Sequence, residues 1–272
     1  MAGAMPRRKD LKFERQLQAK GKPDDEKGRF PLVHVTAVWP AQEIIKIGKI
    51  IPKFCKLFRR ELAYFFVMRP AYQSKFGNEA SHQISRFPFV FVLRPESVLN
   101  PIHVYPFDTG AAASGAFSAQ ADRFVPLEDY ALAANHGAIS RFIMWAFRTP
   151  ERYFDGYLDT DLVSKTAPAE SVVVSYFDIA RMGFEGSNIH DERASAIEVT
   201  SDHNVELDRL LLIIYPKQLL DGNKLLEQRF DELRKNGTEF RSYDWQPNRA
   251  PNEFQSDINI ICRKWMKRNR HL

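Results

Sequence analysis

Three apolar stretches of the sequence each carry a polar side chain that could do chemistry. His34 lies in "FPLVHVT", Glu198 lies in "ASAIEVT", and Arg69 follows an aromatic run in "ELAYFFVMRPAYQ". A carboxylate inside an apolar strand is unfavourable unless it is paired or functional, because desolvating an ion costs several kcal/mol. The presence of Glu198 in this strand therefore requires an explanation. Any active site must bring together these three residues, which are far apart in the chain.

Each of these side chains also has a purely structural explanation. Successive strand residues point to opposite faces, so Glu198 could share a solvent-facing side with Ala196. His34 could be a hydrogen-bonded packing residue. Arg69 could be a strand-end residue whose side chain reaches water, and its two tyrosine neighbours could be core aromatics. The residues alone leave both explanations open.

The predicted elements are strands early in the chain and helices interspersed later. Strand patterns occur in "FPLVHVT", "LAYFFVM", "FPFVFVL", "IHVYPF", "ASAIEVT" and "LLLIIY". Helical patterns occur in "PAQEIIKIG", "LEDYALAANHGAISRFIMWAF", "ESVVVSYFDIARMG", "NKLLEQRFDELRKNG" and "FQSDINIICRKWMKR". Because no repeated βαβ order and no internal repeat occurs, the sequence predicts an α+β fold rather than a doubly wound parallel sheet.

Composition limits the class of protein. The 272 residues are 44% hydrophobic and 12% aromatic, which predicts a folded core. The longest apolar runs are much shorter than a membrane-spanning helix requires, and no signal-peptide pattern opens the chain, so we expect a cytoplasmic protein that does not enter a membrane. Cys55 and Cys262 have no Cys or His at zinc-ligand spacing. The sequence therefore predicts no metal site.

The usual short signatures of nucleotide-binding and hydrolytic enzymes do not occur. The sequence lacks G-x-x-x-x-G-K-[ST], G-x-G-x-x-G, H-E-x-x-H and G-x-S-x-G. The run Asp108-Thr109-Gly110 matches the D-T-G of aspartic proteases, but that chemistry needs two such carboxylates. We therefore interpret it as a turn.

Three regions are predicted along the chain. Residues 1–29 mix both charges with Gly and Pro, which predicts a flexible basic arm. Residues 30–220 contain the predicted strands and the three candidate residues, and they form the main domain. Residues 221–272 predict a helical, basic extension that packs on the same domain.

The basic residues cluster near the carboxyl end of the chain. The net charge is +5, and "CRKWMKRNRHL" places Arg263, Lys264, Lys267 and Arg268 around Trp265. Cations with an interleaved aromatic residue can bind phosphates and stack a base, so these four cations are candidates for nucleic-acid binding. The alternative is a solvated helix end, whose dipole favours cations in any case.

The order and spacing of "HVT", "YFFVMRPAY" and the strand with Glu198 resemble the ADP-ribosyltransferase fold. In transferases of the diphtheria-toxin and poly-ADP-ribose polymerase type, a His lies in a first strand, a Tyr follows, and a Glu lies on a late strand. The stretch around Arg69 is also similar to the N-P-R-x-x-x-Y of DNA-targeting ADP-ribosyltransferase toxins of toxin–antitoxin systems. The resemblance covers roughly Phe30 to Tyr215 and implies a catalytic domain with a split β-sheet core and flanking helices.

The resemblance implies NAD as co-substrate, without a metal, and gives each candidate residue a role. Glu198 would stabilise the cation that forms on the ribose when nicotinamide leaves, and Arg69 would bind a phosphate of NAD or of the acceptor. These two residues would be catalytic. His34 would hydrogen-bond a ribose of NAD, and Thr36 would assist at the end of the same strand.

A tyrosine would stack on the nicotinamide ring. Tyr64 lies before Arg69 and Tyr72 after it, and the sequence does not choose between them. Both are therefore candidates for NAD binding.

The function that the resemblance implies is mono-ADP-ribosyl transfer by a bacterial toxin or phage-defence effector. The acceptor would be RNA, DNA or protein, and a neutralising antitoxin could be a partner. Val35 stands where the family often has glycine, which favours the alternative of a non-catalytic nucleic-acid-binding or regulatory protein with the same fold. A second alternative is an NAD-using RNA phosphotransferase.

Overall fold

The structure is a computed structural model that describes residues 4–8, 16–22, 28–74, 77–184 and 190–272. Its strands are β1 (Leu32–Ala37), β2 (Lys49–Ile50), β3 (Lys53–Cys55), β4 (Arg60–Val67), β5 (Pro88–Leu93), β6 (Val104–Tyr105), β7 (Glu198–Ser201), β8 (Val205–Glu206), β9 (Leu210–Pro216) and β10 (Glu239–Tyr243). Its helices are α1 (Val38–Ile47), α2 (Thr109–Ala113), α3 (His136–Phe147), α4 (Pro150–Phe154), α5 (Thr160–Lys165), α6 (Ser171–Ala180), α7 (Lys224–Lys235) and α8 (Gln255–Arg268).

The main sheet has the order β10-β9-β5-β1-β4-β7-β6, with β3 paired to the outer part of β4. The neighbours are antiparallel except β9 and β10, which run parallel and are connected through α7. Strand β1 pairs along its whole length with β5, but with β4 only at Leu32–Val67 and Val33–Phe66. The sheet is therefore split between β1 and β4, and the predicted α+β class with flanking helices is confirmed.

Helices bury the central strands. Helix α1 packs against β1 and β5, and α8 packs against β9 and β10. Every residue of β5 is buried, as expected for a strand with both faces covered. The aromatic rings of Phe89, Tyr215 and Phe230 pack against one another in this core. Burial of so many large rings stabilises the sheet that carries the candidate residues.

One predicted helix and the predicted helical extension both differ from the structure. The long helical stretch before Phe147 is divided into a 3₁₀ turn, Leu127–Tyr130, and α3. A new helix begins because the side chain of Asn135 accepts a hydrogen bond from the backbone of Ala138 at 2.8 Å. Strand β10 in the predicted helical extension was missed, because its mostly polar, partly exposed residues lack a strand's usual apolar pattern.

The described parts of the predicted flexible arm lie against the body of the protein. Met5 and Leu17 are buried, Arg8 forms an ion pair with Asp129, and Lys20 forms one with Glu170. Residues 1–3, 9–15 and 23–27 of the predicted arm lie outside the described residues.

Candidate active site at the split of the sheet

Glu198 begins β7 and lies inside the protein. It pairs in register with Phe66 of β4 and with Tyr105 of β6, and only 3% of its surface is exposed. The structure therefore excludes the explanation that Glu198 simply points to solvent. This carboxylate lies in the interior, where charge is costly unless a partner or a ligand stabilises it.

The segment before α2 closes over the Glu198 carboxylate. The hydroxyl of Thr109 donates a hydrogen bond to Oε1 at 2.6 Å, and the backbone N–H of Thr109 donates to Oε2 at 3.3 Å. The adjacent Asp108 caps α2, where its Oδ1 accepts from the N–H of Ala111 at 2.8 Å. The predicted turn at these residues is thus the beginning of a short helix that holds Glu198, a role that sequence reasoning missed.

Two carboxyl groups with raised pKa values, those of Glu198 and Asp108, bind the first turn of α2. Burial raises the pKa of Glu198 well above its ordinary value, and the charge of Asp108 raises it further, against hydrogen bonds from Thr109 that lower it. Burial likewise raises the pKa of Asp108, against the hydrogen bond from Ala111 and the charge of Arg193. Among the described residues neither carboxylate forms an ion pair, so no cation of the fold neutralises them directly.

Tyr64 lies on the same face of the sheet as Glu198. It pairs in register with Thr200, two residues along β7, and its hydroxyl donates a hydrogen bond to the sulfur of Cys55 at 2.8 Å. Burial, followed by this hydrogen bond and by the charge of Glu198, raises the pKa of Tyr64. The phenol is therefore protonated at neutral pH and lies near the carboxyl pair.

His34 lies at the split but on the other face of the sheet. Its ring packs 5.6 Å from Phe65 and 6.2 Å from Phe91, whereas Glu198 faces Phe66. Its Nδ1 lies 2.8 Å from the carbonyl oxygen of Tyr64, so Nδ1 carries the proton and Nε2 is the acceptor. Burial lowers the pKa of His34, which favours this neutral form.

No hydrogen bond or ion pair joins His34 to Glu198 within the described ranges. Thr36, two residues further along β1, is half-buried opposite Phe89 of β5. The structure thus brings Tyr64 and Glu198 together on one face and leaves His34 and Thr36 on the other side of the split.

Arg69 lies just beyond the end of β4 and points into the protein. The backbone of Met68 is left-handed, with φ of 59°, and turns the chain out of the strand. The guanidinium of Arg69 donates to Ser195 Oγ at 2.7 Å and to the carbonyl of Tyr153 at 3.4 Å. Only 4% of Arg69 is exposed, and no carboxylate of the described chain pairs with it. The explanation that Arg69 reaches bulk water is therefore wrong.

Arg69 lines a cleft of about 490 Å³. Tyr72 lines the same cleft, with the 190–193 segment on one side and α8 on another. Burial raises the pKa of Tyr72, a hydrogen bond with Ser74 lowers it, and the charge of Asp108 raises it. Tyr72 therefore lines the cleft of Arg69 within electrostatic range of Asp108, whereas Tyr64 and Glu198 do not line this cleft.

The 190–193 segment holds the cleft wall to α8. The carboxylate of Glu192 accepts hydrogen bonds from Gln255, at 3.2 Å, and from Asn259. The guanidinium of Arg193 forms two hydrogen bonds with Asp191, at 2.9 and 2.6 Å. The charged run before β7 is the sequence feature that could have indicated this segment.

Helix α8 uses most of its predicted nucleic-acid-binding cations for contacts within the fold. Arg263 contacts Asp155 at 2.8 and 2.7 Å and Glu151 at 2.9 Å. Lys267 contacts Glu151 at 2.8 Å. Arg268 contacts Glu239, and Lys264 is exposed.

The aromatic residue of this cluster is not available to stack a base. Trp265 is 4% exposed, and its indole N–H donates to Glu239 at 2.9 Å. The expectation that Trp265 presents a stacking surface is therefore wrong, since the amphipathic helix turns this side chain toward the core.

A second basic region, the hairpin of β3 and β4, was missed. Lys53, Lys56 and Arg59 are exposed, and no ion pair engages them in the part of the chain that the structure describes. Phe54 is 65% exposed between the first two cations. Its neighbour Cys55 contacts Tyr64, so the hairpin connects directly to the carboxylate site.

The chain is similar to a solved structure. No protein-family model and no curated protein matches the chain. The solved structure is DarT of Thermus sp. 2.9 in complex with NAD⁺, which is 13% identical with a TM-score of 0.35. The match covers 78% of this chain and 96% of that one.

Proposed function

We propose that this protein is an NAD-dependent mono-ADP-ribosyltransferase. The observation that carries the proposal is Glu198, a buried carboxylate that Thr109 orients and that no cation of the described chain neutralises. A site of this kind suits a ligand that is cationic or becomes cationic during reaction. The nicotinamide ring of NAD is cationic, and the ribose becomes so when the ring leaves. The sequence resemblance supports the same reaction.

The proposed reaction exchanges one bond at the ribose C1′ for another. The C1′–nitrogen bond breaks, and its electron pair passes to the nicotinamide nitrogen, which becomes neutral. Glu198 stabilises the resulting oxocarbenium-like cation. A nucleophile of the acceptor then forms a bond to C1′ and loses its proton, for which the Glu198 carboxylate is the base. Tyr64 or Tyr72 stacks on the leaving ring.

Arg69 is proposed to hold one end of NAD, and His34, on the opposite face of the sheet, is proposed to reach a ribose of NAD through the split between β1 and β4. With Nδ1 bonded to the carbonyl of Tyr64, the Nε2 of His34 is an acceptor for a ribose hydroxyl, and Thr36 assists beside it. Arg69 is a buried cation at the cleft that forms no ion pair in the described ranges, although its charge lowers the pKa of Glu192 in the cleft wall, and guanidinium pairs well with phosphate. Arg69 therefore binds the pyrophosphate of NAD or a phosphate of the acceptor.

We propose nucleic acid as the acceptor, on account of the β3–β4 hairpin. Its unpaired cations Lys53, Lys56 and Arg59 suit phosphates, and the exposed ring of Phe54 suits base stacking. A role as a toxin or phage-defence effector, with a neutralising antitoxin, is proposed on the resemblance alone.

The test is transfer of label from NAD. The protein is incubated with NAD labelled in its ADP-ribose part and with separate pools of RNA, single-stranded DNA and extract protein. We expect label on one nucleic-acid pool, and its loss with Glu198→Gln but not with Glu61→Gln, an exposed residue of β4. Intact NAD in every pool would contradict the enzyme and support the alternative of a non-catalytic nucleic-acid-binding protein.

A further inference from the structure

The carboxyl groups of Asp108 and Glu198 both accept hydrogen bonds from backbone N–H groups in the first turn of α2, and neither forms an ion pair in the described ranges. Thr109 follows Asp108 in the chain and bonds Glu198 through both its hydroxyl and its backbone N–H. Asp108 is itself fixed by the N–H of Ala111. Two carboxylates that one short turn holds near each other cannot both ionise easily, and here Glu198 is buried and Asp108 half-buried.

The groups around the pair do not supply the missing positive charge. The charge of Glu198 raises the pKa of Tyr64 on β4 and of Tyr105 on β6. Cys55 on β3 in turn raises the pKa of Glu198. None of these three side chains is cationic. Arg193 is the cation whose charge reaches Asp108. Its guanidinium already forms two hydrogen bonds with Asp191, whose own negative charge opposes the effect on Asp108.

We propose that Asp108 is a positioning residue that keeps one proton on the Asp108–Glu198 pair in the free protein, and that this proton leaves when the cationic nicotinamide ring of NAD enters the site. The second half of the proposal rests on the proposed function. The proton passes to solvent, and the electron pair of the broken O–H bond stays on the carboxylate. The pair then carries two negative charges, which the bound ring and later the ribose cation offset.

The net charge of the Asp108–Glu198 pair therefore differs between the free protein and its complex with NAD. In the free protein the pair bears one negative charge, which limits the cost of burying it. In the complex the fully ionised Glu198 is available to stabilise the reacting ribose. Asp108 thus acts through Glu198, and its replacement should change the pH dependence of the reaction more than the orientation of NAD.

The first experiment uses the free protein. Infrared spectroscopy at pH 7 should detect the carbonyl band of one protonated carboxylic acid in the wild type. We expect the band to disappear in Glu198→Gln and in Asp108→Asn, and to persist in Asp208→Asn, an exposed control. A wild-type spectrum without such a band would overturn the proposal whether or not the protein is an enzyme.

The second experiment measures protons released by the wild type on binding NAD. Isothermal titration calorimetry in buffers of different ionisation enthalpy should give release of about one proton at pH 7. NAD that binds and is turned over without proton release would overturn the inference and leave the proposed function standing. Failure to bind NAD would overturn the proposed function and the second half of the inference, while the infrared band would still establish the shared proton.

The pH profile of turnover distinguishes positioning from a merely structural role. Because the charge of Asp108 raises the pKa of Glu198, Asp108→Asn should move the acid limb of the profile to lower pH. A profile that is lowered at every pH but not displaced would contradict the role of Asp108.

Discussion

Helix α8 and the site around Glu198 both contain several charged side chains, but the two regions differ in whether those side chains form ion pairs. On α8, Arg263, Lys267 and Arg268 each contact a carboxylate. At the site, the Glu198 carboxylate and the Arg69 guanidinium are more deeply buried, yet neither forms an ion pair in the described part of the chain. Helix α8 is partly exposed and forms ion pairs, although they contribute little there. The buried Glu198 and Arg69, for which an ion pair would matter most, form none in the described part of the chain.

This difference distinguishes the charged side chains of α8, which support the fold, from Glu198 and Arg69, which we propose bind a ligand. Exposed ion pairs contribute little to stability, so the α8 pairs hold the helix in place without large cost or gain. A buried charge without a partner lowers stability and is retained where function requires it. We therefore expect substitutions on α8 to change stability slightly, and substitutions at the site to change activity strongly.

The largest effect among the cations is expected for Arg69→Lys. Lysine keeps the charge but loses the forked donor set, so one charged hydrogen bond worth about 1.5–3 kcal/mol is lost. Turnover of NAD should fall about 10- to 100-fold. Steady-state kinetics measures this change, with Arg86→Lys as a control away from the cleft. Unchanged kcat/KM would show that Arg69 has only a structural role.

A smaller effect is expected for removal of the hairpin cations. Replacing Lys53, Lys56 and Arg59 by alanine should weaken binding of single-stranded nucleic acid about tenfold at moderate salt. It should also reduce the slope of log K against log[salt] by about 2. The matched control removes three cations of α8, Lys264, Lys267 and Arg268. Should the α8 variant lose more affinity than the hairpin variant, the comparison of the two basic regions would be reversed.

The smallest effect is expected for Arg263→Ala. Its contacts with Asp155 and Glu151 are partly exposed, so their loss should lower the free energy of unfolding by about 1 kcal/mol. Denaturant unfolding measures this change. Lys264→Ala, which removes an exposed cation from the same helix, should stay within about 0.5 kcal/mol of the wild type. Equal effects of the two substitutions would mean that the ion pairs of Arg263 contribute nothing.

Local sequence patterns predicted most of the sheet and several helices. Strands β1, β4, β5, β7 and β9 have apolar patterns, and α1 ends at Gly48 with φ of 75°, as its sequence predicts. Glu198 also stood out from the sequence alone, because an acid is unusual in an apolar strand. These features are determined by residues that are close together in the chain, so a single sequence is sufficient to predict them.

The contacts that define the site depend on residues far apart in the chain. Thr109 and Glu198 are 89 residues apart, and Arg69 and Ser195 are 126 apart. Nothing local in "FDTG" indicates that its threonine will hold a carboxylate of β7. Likewise, the pairing of Arg263 with Asp155 depends on the packing of α8, so the basic run could not be distinguished from a free cationic surface.

Turnover and stability of Glu198→Gln, measured together, test the central claim most directly. Since the pKa of Glu198 is raised in the folded state, its carboxyl group makes the protein less stable as the pH rises above the ordinary glutamate range. The amide cannot ionise and can still bond Thr109. We predict that nicotinamide release falls about 10²- to 10³-fold while the free energy of unfolding at pH 7 is equal to or above that of the wild type. A variant that retains its rate of nicotinamide release but is less stable would show that Glu198 serves the fold.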